Sequence, residues 1–266
     1  MIAAQWELSV VRTDERAAAP MIAPLMAERL LLDILPQPDD RTCGPTCLHA
    51  VYRYYGLELE LEDVIRDVRT LDSGGTLAVL LANDALERGF EAILYTYNLQ
   101  VFDPTWFSTE HVDIAERLMR QRAVKSGRRL QAATRAYLEF LDRGGDLRLV
   151  DLTPALIRKY LTKKQPILTG LSSTFLYRAK REHGDDDEPD DIRGEPQGHF
   201  VVLAGYDADD RVVHVADPYL ENPMRRKAHH YEVDIDRVIG SILLGVLTYD
   251  AVLLVVRPKR ENSRAS

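Results

Sequence analysis

The chain has 266 residues and 45% hydrophobic content, which is enough to bury one large core, or one core with an insertion. Its formal net charge of −8 argues against a nucleic-acid-binding protein of the usual basic kind. Its two cysteines are too few for a disulfide framework, so we expect a reducing compartment, the cytoplasm. They are also too few for an all-cysteine zinc site, and we expect no metal or cofactor, although a mixed Cys/His site stays open.

The sequence shows neither a signal-peptide pattern nor a membrane span. Charged residues interrupt the first 30 positions. The most hydrophobic stretch, residues 238–256, contains Tyr249 and Asp250 and divides around Gly245, which predicts a short helix followed by a buried strand. We therefore expect a protein that has no membrane partner.

The N-terminal part is predicted to deliver a cysteine to the start of a helix. Residues 1–28 lack periodicity, so we predict that they form a loosely packed N-terminal arm, in which residues 6–11 could form an edge strand. Residues 29–36 predict a strand that leads into a proline-flanked loop. The helix is predicted for residues 43–55, with Gly56 as its C-cap.

Cys43 is the candidate nucleophile. Gly44 permits a sharp bend between loop and helix, and Pro45 suits the first helical turn. Backbone N–H groups and the positive end of the helix dipole then favour the thiolate, which is the nucleophilic form. Gln37, six residues earlier, offers an amide that can donate to an oxyanion together with the N–H of Cys43. Cys47 is predicted to be a core residue, with a role in redox control of Cys43 as the alternative.

The middle of the chain is predicted to be mainly helical. Helices are predicted for residues 61–71, 77–87 and 151–161, and a further helix from Ser108 or Thr109 to about Lys125. An amphipathic helix is predicted from Leu130, and Gly144 and Gly145 end it. Strands are predicted for residues 90–97 and 166–171. Residues 115–149 carry nine Arg or Lys against four Asp or Glu, a modest balance of +5 that is too small for nucleic acid.

An acidic segment occupies residues 181–195. It holds eight Asp or Glu against Arg181 and Arg193, which accounts for −6 of the chain's −8. Such a run predicts a solvated, partly disordered loop. Because the run ends four residues before His199, an active-site lid is the alternative.

A base and an acid that suit Cys43 occur near the C-terminus. His199 opens an apolar run bounded by glycines, which predicts a buried central strand. The next strand, residues 212–216, leads to Asp217, and Pro218 stops further pairing. Asp217 is then placed to accept from one ring nitrogen of His199, which leaves the other nitrogen for the proton of Cys43. No catalytic role is predicted for His49, His214, His229 or His230.

Together these motifs resemble a known family. Gln37 followed by Cys-Gly-Pro-Thr-Cys-Leu, then Gly-His-Phe-Val-Val-Leu-Ala-Gly-Tyr-Asp from Gly198, then Asp-Pro at 217, is similar to the bacteriocin-processing, double-glycine-leader cysteine peptidases of the papain-like clan, and most to their stand-alone relatives without a transporter. The resemblance covers about residues 30–100 and 150–256. It implies an α+β, papain-like fold in which an N-terminal helical part carries the cysteine and an antiparallel sheet carries histidine and aspartate. It also implies that Cys43 is the nucleophile, His199 the base, Asp217 its orienting acid and Gln37 the oxyanion donor.

Two features depart from that family. Thr42 stands where the family usually has Asp, and His199 follows Cys43 by 156 residues (199 − 43), which is longer than in the compact leader peptidases. The predicted organisation is an arm over residues 1–28, one peptidase domain over residues 29–256 with a helical insertion at about 101–149 and an acidic loop at about 181–197, and a flexible tail over residues 257–266.

We therefore predict a cytoplasmic cysteine peptidase that cleaves a peptide or isopeptide bond through a thioester. Two alternatives stay open: an acyl transferase, transglutaminase-like or peptide-ligating, with the same triad, and a catalytically idle adaptor that binds peptides. The charges of residues 115–149 and 181–195 have opposite signs, so the acidic segment is predicted to lie on the basic helices until an acidic peptide substrate displaces it.

Overall fold

A computed structural model describes residues 29–71, 74–108, 112–184, 186–225 and 228–259 of the chain. The predicted arm over residues 1–28, with its edge strand, lies outside the described residues. The predicted tail begins too early, because the last strand continues to Pro258, and residues 260–266 are again outside the described part.

The α-helices of the described part are α1 (Cys43–Tyr54), α2 (Leu61–Asp67), α3 (Ala78–Glu87), α4 (Ile114–Val124), α5 (Arg128–Asp142), α6 (Pro154–Leu161), α7 (Ser173–Tyr177) and α8 (Ile235–Leu244). Short 3₁₀ helices cover Pro104–Phe107 and Gly245–Thr248. Most of these helices lie where the periodicity predicts them. Helix α4 begins later than predicted, because Asp113 rather than Ser108 or Thr109 is its N-cap and accepts from the N–H of Glu116.

The strands are β1 (Phe90–Thr96), β2 (Asp146–Arg148), β3 (Ile167–Ser172), β4 (Glu182–His183), β5 (Glu188–Pro189), β6 (Gly198–Asp207), β7 (Val212–Ala216), β8 (His230–Asp234) and β9 (Val252–Pro258). Seven of them form one sheet in the order β2-β1-β9-β3-β6-β7-β8. Only the β1–β2 pair of this sheet is parallel, and the other pairs are antiparallel. The α+β fold with a helical part before the antiparallel sheet is therefore confirmed.

The sheet separates two apolar cores. Along β6, Phe200 and Val202 face the core that contains α1, α3 and α5, whereas Val201 and Leu203 face the core that contains α6 and α8. This alternation follows from the two-residue period of a strand, and burial on both faces explains the continuous apolar run after His199. Helix α1 is thus packed directly against β6, which brings the two ends of the candidate site together.

Residues 101–149 do more than form a helical hairpin. Helices α4 and α5 pack on each other, and α5 packs on α3. The same segment contributes β2, whose Leu147 pairs with Leu94 at the edge of the main sheet. That this segment is an insertion, and that residues 29–256 are one domain, remain predictions.

The acidic segment is ordered where the structure describes it. Strands β4 and β5 form a small hairpin, and Glu182 and Glu195 exchange backbone hydrogen bonds of 3.1 and 2.8 Å. Asp190 accepts from the backbone N–H groups of Ile192 and Arg193, which fixes the turn that follows. Local backbone pairing and Asx turns thus satisfy backbone groups of this segment despite its charge, and its partial disorder stays a prediction.

The predicted strand over residues 29–36 is absent. Leu30, Leu32 and Ile34 alternate inward and join the core beside α1, as a strand would predict. Its backbone contact with β6 is a bond from Leu30 N to Ala204 O of 2.7 Å. Ala204 lies just beyond Leu203, the last residue that β6 pairs with β3, and at the irregularity in its pairing with β7, so the segment meets β6 where the regular ladders are interrupted.

Within the described ranges, no helix has the length and apolar character that crossing a membrane would require.

Candidate active site

Cys43 is the first residue of α1. It follows the N-cap Thr42 and is 9% exposed. No acidic residue lies in the first turn of α1, so the positive end of the helix dipole faces the thiol without a competing carboxylate from that turn. Thr46 continues the helix start by donating its hydroxyl to the carbonyl of Thr42 at 2.8 Å.

Gly44 is needed for close packing rather than for a sharp bend, which corrects the reason inferred from the sequence. A Cβ atom at this position would lie 2.6 Å from Thr76 Cγ2 and 3.3 Å from Phe200 Cδ2. Helix α1 therefore approaches β6 closely at the residue after Cys43. Because Phe200 is the neighbour of His199, this approach carries the thiol to the imidazole.

His199 lies between Cys43 and Asp217. Its Nε2 donates to Asp217 Oδ1 at 2.8 Å, and Cys43 is close enough to the ring to contribute to the raised pKa of His199. Since Nε2 is used by Asp217, Nδ1 is the nitrogen left for the sulfur. The three side chains that the motifs predicted are thus adjacent in the fold, whereas Asp207 lies at the far end of β6 and caps its own turn.

Asp217 is fully buried, at 0% exposure, and four donors satisfy its carboxylate. Besides His199, the N–H of Tyr219 donates to Oδ1 at 2.9 Å. The hydroxyls of Tyr177 and Tyr231 donate to Oδ2 at 2.7 and 2.6 Å. Neither tyrosine was predicted from the sequence. Tyr231 faces inward on β8 by its alternation, but nothing in the sequence indicates that Tyr177 on α7 reaches Asp217.

A further contact holds the backbone at Asp217. His229 donates from Nδ1 to the Asp217 carbonyl at 2.7 Å, and the Asp217 N–H donates to the carbonyl of His229 at 2.8 Å. His229 was given no role from the sequence. It fixes the position of the loop after β7, from which the Asp217 carboxylate points to His199.

The electrostatics of the site favour charge on both His199 and Asp217. Burial opposes charge on His199, but the charge and hydrogen bond of Asp217, together with Cys43, outweigh it and raise the pKa of His199 to about 10. Burial likewise disfavours the Asp217 carboxylate, yet His199 and the two tyrosine hydroxyls hold its pKa below the ordinary value. Burial and the charge of Asp217 raise the pKa of Tyr177 and Tyr231, which keeps both hydroxyls protonated as donors.

Gln37 is tied to the segment that follows Asp217. Its backbone N–H donates to the carbonyl of Pro218 at 3.0 Å, and its side-chain Nε2 donates to the carbonyl of Asp39 at 2.9 Å. One amide proton of Nε2 therefore remains for another acceptor. The role of Gln37 as an oxyanion donor stays a prediction, and so do the roles of Cys43, His199 and Asp217.

Cys47 is a core residue, as predicted. Its Sγ donates to the carbonyl of Phe200 at 3.2 Å, and burial, followed by the charges of Cys43 and Asp217, raises the pKa of its thiol. Of the other histidines, His49 bonds to the Leu59 carbonyl and His214 to Glu232, both away from Cys43.

A cleft of about 390 Å³ opens over Cys43. Its wall includes the residues that follow the acidic hairpin, up to Gly198, together with the turn that precedes β9 and one residue of α5, Arg129. In the part of the chain that the structure describes, no three His, Cys, Asp or Glu side chains are grouped as a metal site would need.

Comparison with known proteins gives one family and a set of distant structures. A family model described as "Peptidase_C39 like family" matches residues 30–234. No curated protein sequence matches the chain significantly.

Three solved structures are similar to the chain at low identity. A C39-like peptidase from Bacillus anthracis is 14% identical, with 88% of this chain and 99% of that chain covered and a TM-score of 0.46. The peptidase domain of Streptococcus ComA, a bifunctional ABC transporter involved in quorum sensing, is 15% identical, with coverages of 86% and 99% and a TM-score of 0.39. Xylellain, a cysteine protease from Xylella fastidiosa, is 12% identical, with coverages of 88% and 86% and a TM-score of 0.40.

Proposed function

The chain belongs to the Peptidase_C39-like family, and from this premise we propose that it is a cysteine peptidase that hydrolyses a peptide or isopeptide bond through a thioester acyl-enzyme. The observation that carries the proposal is the position of His199: its Nε2 bonds to Asp217 Oδ1 at 2.8 Å, and Cys43, at the helix start that packs against the next residue Phe200, contributes to its raised pKa. This is the order of nucleophile, base and orienting acid that hydrolysis by a thiol nucleophile needs.

In the first half of the reaction, the Cys43 thiolate attacks the substrate carbonyl carbon and the carbonyl electrons move to oxygen. The N–H of Cys43 at the start of α1 and the free amide proton of Gln37 stabilise that oxyanion. When the tetrahedral intermediate collapses, His199 gives its proton to the departing nitrogen. The C–N bond breaks, an amine leaves, and a thioester to Cys43 remains.

In the second half, water attacks the thioester and gives its proton to His199. The C–S bond then breaks, the carboxylic acid leaves, and the Cys43–His199 pair is restored. Asp217 holds the ring in the orientation that both proton transfers use, and its own position is fixed by Tyr177 and Tyr231. The buried carboxylate also stabilises the imidazolium that the first half-reaction uses and the second half-reaction restores.

Alkylation of Cys43 across pH tests the nucleophile. In the wild-type protein, the rate with iodoacetamide should be fast and nearly flat from about pH 6 to 9, because the pKa of His199 of about 10 keeps the imidazolium beside the sulfur. In His199→Ala, the rate should climb with pH like that of an ordinary thiol, with a midpoint at about 8.5. Mass spectrometry of the digested protein gives both rates, and Cys47 in the same digest is the internal control, expected to stay unmodified. Identical profiles for the two proteins would overturn the proposal.

Peptide products identify the reaction. A peptide library from digested cell protein should give new cleavage products with the wild type and with Cys47→Ser, which keeps a donor to the Phe200 carbonyl, but none with Cys43→Ala. Adding glycine methyl ester separates the classes: a hydrolase releases free carboxylates, whereas an acyl transferase gives amides. A protein whose Cys43 is not preferentially alkylated and which yields no products is the idle adaptor.

The preference for an acidic substrate stays a prediction. The described ion pairs of the acidic segment, Lys180–Asp191 and Arg193–Asp190, join residues that are close in the sequence.

A further inference from the structure

A second carboxyl group lies in the cleft and has no part in the reaction described above. Asp250 lies in the short connection between the 3₁₀ helix Gly245–Thr248 and the strand β9, and it is 6% exposed. It lines the same cleft as Cys43, Gly198 and Phe200. Its side chain is therefore a buried acid that a bound substrate can reach.

Two glycines make room for this side chain. A Cβ atom at Gly198, the residue before His199, would lie 2.1 Å from Asp250 Oδ2. A Cβ atom at Gly170 on β3 would lie 2.9 Å from Asp250 Cβ and 2.7 Å from its carbonyl oxygen. The carboxyl group thus lies directly against the backbone of Gly198, next to the imidazole that would take part in catalysis. Neither glycine has a positive φ, so space rather than backbone conformation explains them.

The groups that face Asp250 leave its charge without an ion pair among the described residues. From its own turn, Thr248 acts to lower the pKa of Asp250, although the Thr248 hydroxyl donates to the Gly245 carbonyl at 3.1 Å. From α5 and β6, the charges of Arg129 and His199 act on it at longer range, and its charge in turn acts on Tyr137 of α5.

Arg129, whose charge acts on Asp250, makes its own contacts with the neighbouring turn. Arg129 donates to the Thr248 carbonyl at 2.6 Å and places its guanidinium over the Tyr249 ring, 4.7 Å from the centroid. Arg129 therefore fixes the turn that carries Asp250 instead of pairing with the carboxylate. Burial, opposed in part by these neighbours, raises the pKa of Asp250 to about 7. A buried carboxyl without an ion pair destabilises a fold, so a compensating partner is expected from outside the chain.

The charges around the cleft indicate the nature of that partner. Besides Asp250, the acidic side chains Asp40 and Glu195 line the cleft, against Arg41 and Arg129. Asp40 and Glu195 are exposed, so Asp250 is the acid in the buried part of the cleft wall. A protonated nitrogen is the group that a buried carboxylate binds best, because a charge-assisted hydrogen bond then offsets the desolvation of both.

We propose that Asp250 is a specificity-determining residue that accepts a hydrogen bond from a protonated nitrogen of the substrate residue lying against Gly198. The nitrogen can come from a Lys or Arg side chain or from a free α-amine. The inference rests on the proposed peptidase function, because it assigns the cleft to a peptide. It also predicts a charge opposite to the acidic substrate expected from the sequence, at this one position of the cleft.

Protection of Cys43 from iodoacetamide tests this without a known cleavage site. The probes are tetrapeptide amides with lysine, or its uncharged analogue norleucine, at each position in turn, either N-acetylated or with a free α-amine. At pH 8, where the Asp250 carboxylate predominates, a lysine peptide should slow the alkylation of wild-type Cys43 at a concentration about 10-fold or more below that of its norleucine partner. If the α-amine is the ligand, the same difference should separate the free and acetylated forms.

Two variants locate the effect. Asp250→Asn, which keeps the shape of the side chain and removes its charge, should reduce the preference to less than about 2-fold, whereas Glu195→Gln at the exposed rim should keep most of it. The absence of any preference for a charged nitrogen in the wild type, its survival in Asp250→Asn, or its loss in Glu195→Gln alone would overturn the inference. Failure of the peptidase proposal is recognised separately, because it would appear as a Cys43 alkylation rate without peptide that does not depend on His199.

Discussion

At the scale of single residues, the site depends on how completely Asp217 is satisfied. A buried carboxylate is costly unless each of its lone pairs finds a donor, and here the donors are an imidazole, a backbone N–H and two phenols. The phenols matter because they bind Oδ2 and leave Oδ1 for the ring of His199. Asp217 is thus held in one orientation from both sides.

Removing either phenol hydroxyl should loosen this arrangement. Tyr231→Phe leaves the buried Oδ2 of Asp217 with one donor fewer, so we expect the free energy of unfolding to fall by about 1.5 to 3 kcal/mol, as for hydrogen bonds to charged groups. Tyr177→Phe should act in the same direction. Urea unfolding measures both. The matched control is Tyr219→Phe, which keeps the backbone N–H that contacts Asp217 and should unfold like the wild type. Equal stability of all three variants would contradict this account.

The residues that could be predicted from the sequence are those whose type and spacing carry the chemistry. Cys43 at a helix start, His199 at a strand start and Asp217 before a proline are adjacent in the fold. Tyr177 and His229 could not be predicted, because their contacts with Asp217 depend on where α7 lies and on how the chain returns into β8. Tyrosine and histidine at such positions have no sequence pattern that separates them from ordinary core residues.

At the scale of elements, the start of β6 is restricted by the turn before β9. Gly198 lies against both Asp250 and Thr248, with a hypothetical Cβ atom 2.1 Å from Asp250 Oδ2 and 2.7 Å from Thr248 Oγ1. The two elements are not neighbours in the sheet, since β3 lies between β6 and β9. Their contact across the end of β3 closes the wall of the cleft.

Gly198→Ala should therefore overpack this wall. We expect it to lower the free energy of unfolding by about 1 to 3 kcal/mol and to slow the alkylation of Cys43 by displacing the start of β6. Adding Asp250→Ala should recover part of the lost stability, because it removes one of the two overlapping groups. Gly127→Ala is the control, since its Cβ atom would meet nothing closer than 3.9 Å. If Gly198→Ala unfolds like Gly127→Ala, the close contact is not present in solution.

Elements are predictable from local pattern only where no other part of the chain competes. The helices α1, α3 and α5 lie close to their predicted bounds because capping and periodicity act within each helix. Residues 29–36 have the alternation of a strand, but their backbone meets β6 at Ala204, just beyond the residues that β6 pairs with β3. The charge pattern of the acidic segment likewise does not indicate the backbone pairing between Glu182 and Glu195.

At the scale of the whole molecule, three buried ionisable groups set how stability depends on pH. The pKa of His199 is raised from 6.5 to about 10, so its stabilising contribution is complete below pH 6.5 and is lost as the pH rises towards 10. The pKa of Asp250 is raised from 3.8 to about 7, so its contribution is complete below pH 3.8 and is lost between there and pH 7. The pKa of Asp217 is lowered, and its contribution is lost when the pH falls through the folded-state value.

We therefore expect stability to be highest on the acid side of neutrality and to decline above it. The midpoint of urea unfolding, measured from pH 4 to 10, should fall less between pH 4 and 7 in Asp250→Asn than in the wild type. The same midpoint should fall less between pH 7 and 10 in His199→Ala. A wild-type midpoint that rises steadily from pH 4 to 10 would contradict both signs. Asp209→Asn, at the exposed turn after β6, is the control and should follow the wild type.

The fold class could be predicted from the order of motifs, but the sheet order could not. A helix with a cysteine followed by strands with histidine and aspartate predicts α+β, and the seven-stranded sheet agrees. The insertion of β9 between β1 and β3, and the parallel pairing of β2 with β1, join segments far apart in sequence. Such pairings depend on tertiary packing, which local periodicity does not contain.

The burial of Cys47 bears on how the protein would withstand peroxide. Peroxide first converts a reactive thiolate to a sulfenic acid, and a neighbouring thiol normally rescues that species by forming a disulfide. Cys47 is the chain's other cysteine, and its sulfur is held in the core by the Phe200 carbonyl. We therefore expect no internal disulfide to rescue oxidised Cys43, so that peroxide in the absence of an added thiol should carry it on to the sulfinic acid, from which a later reductant does not recover the thiol.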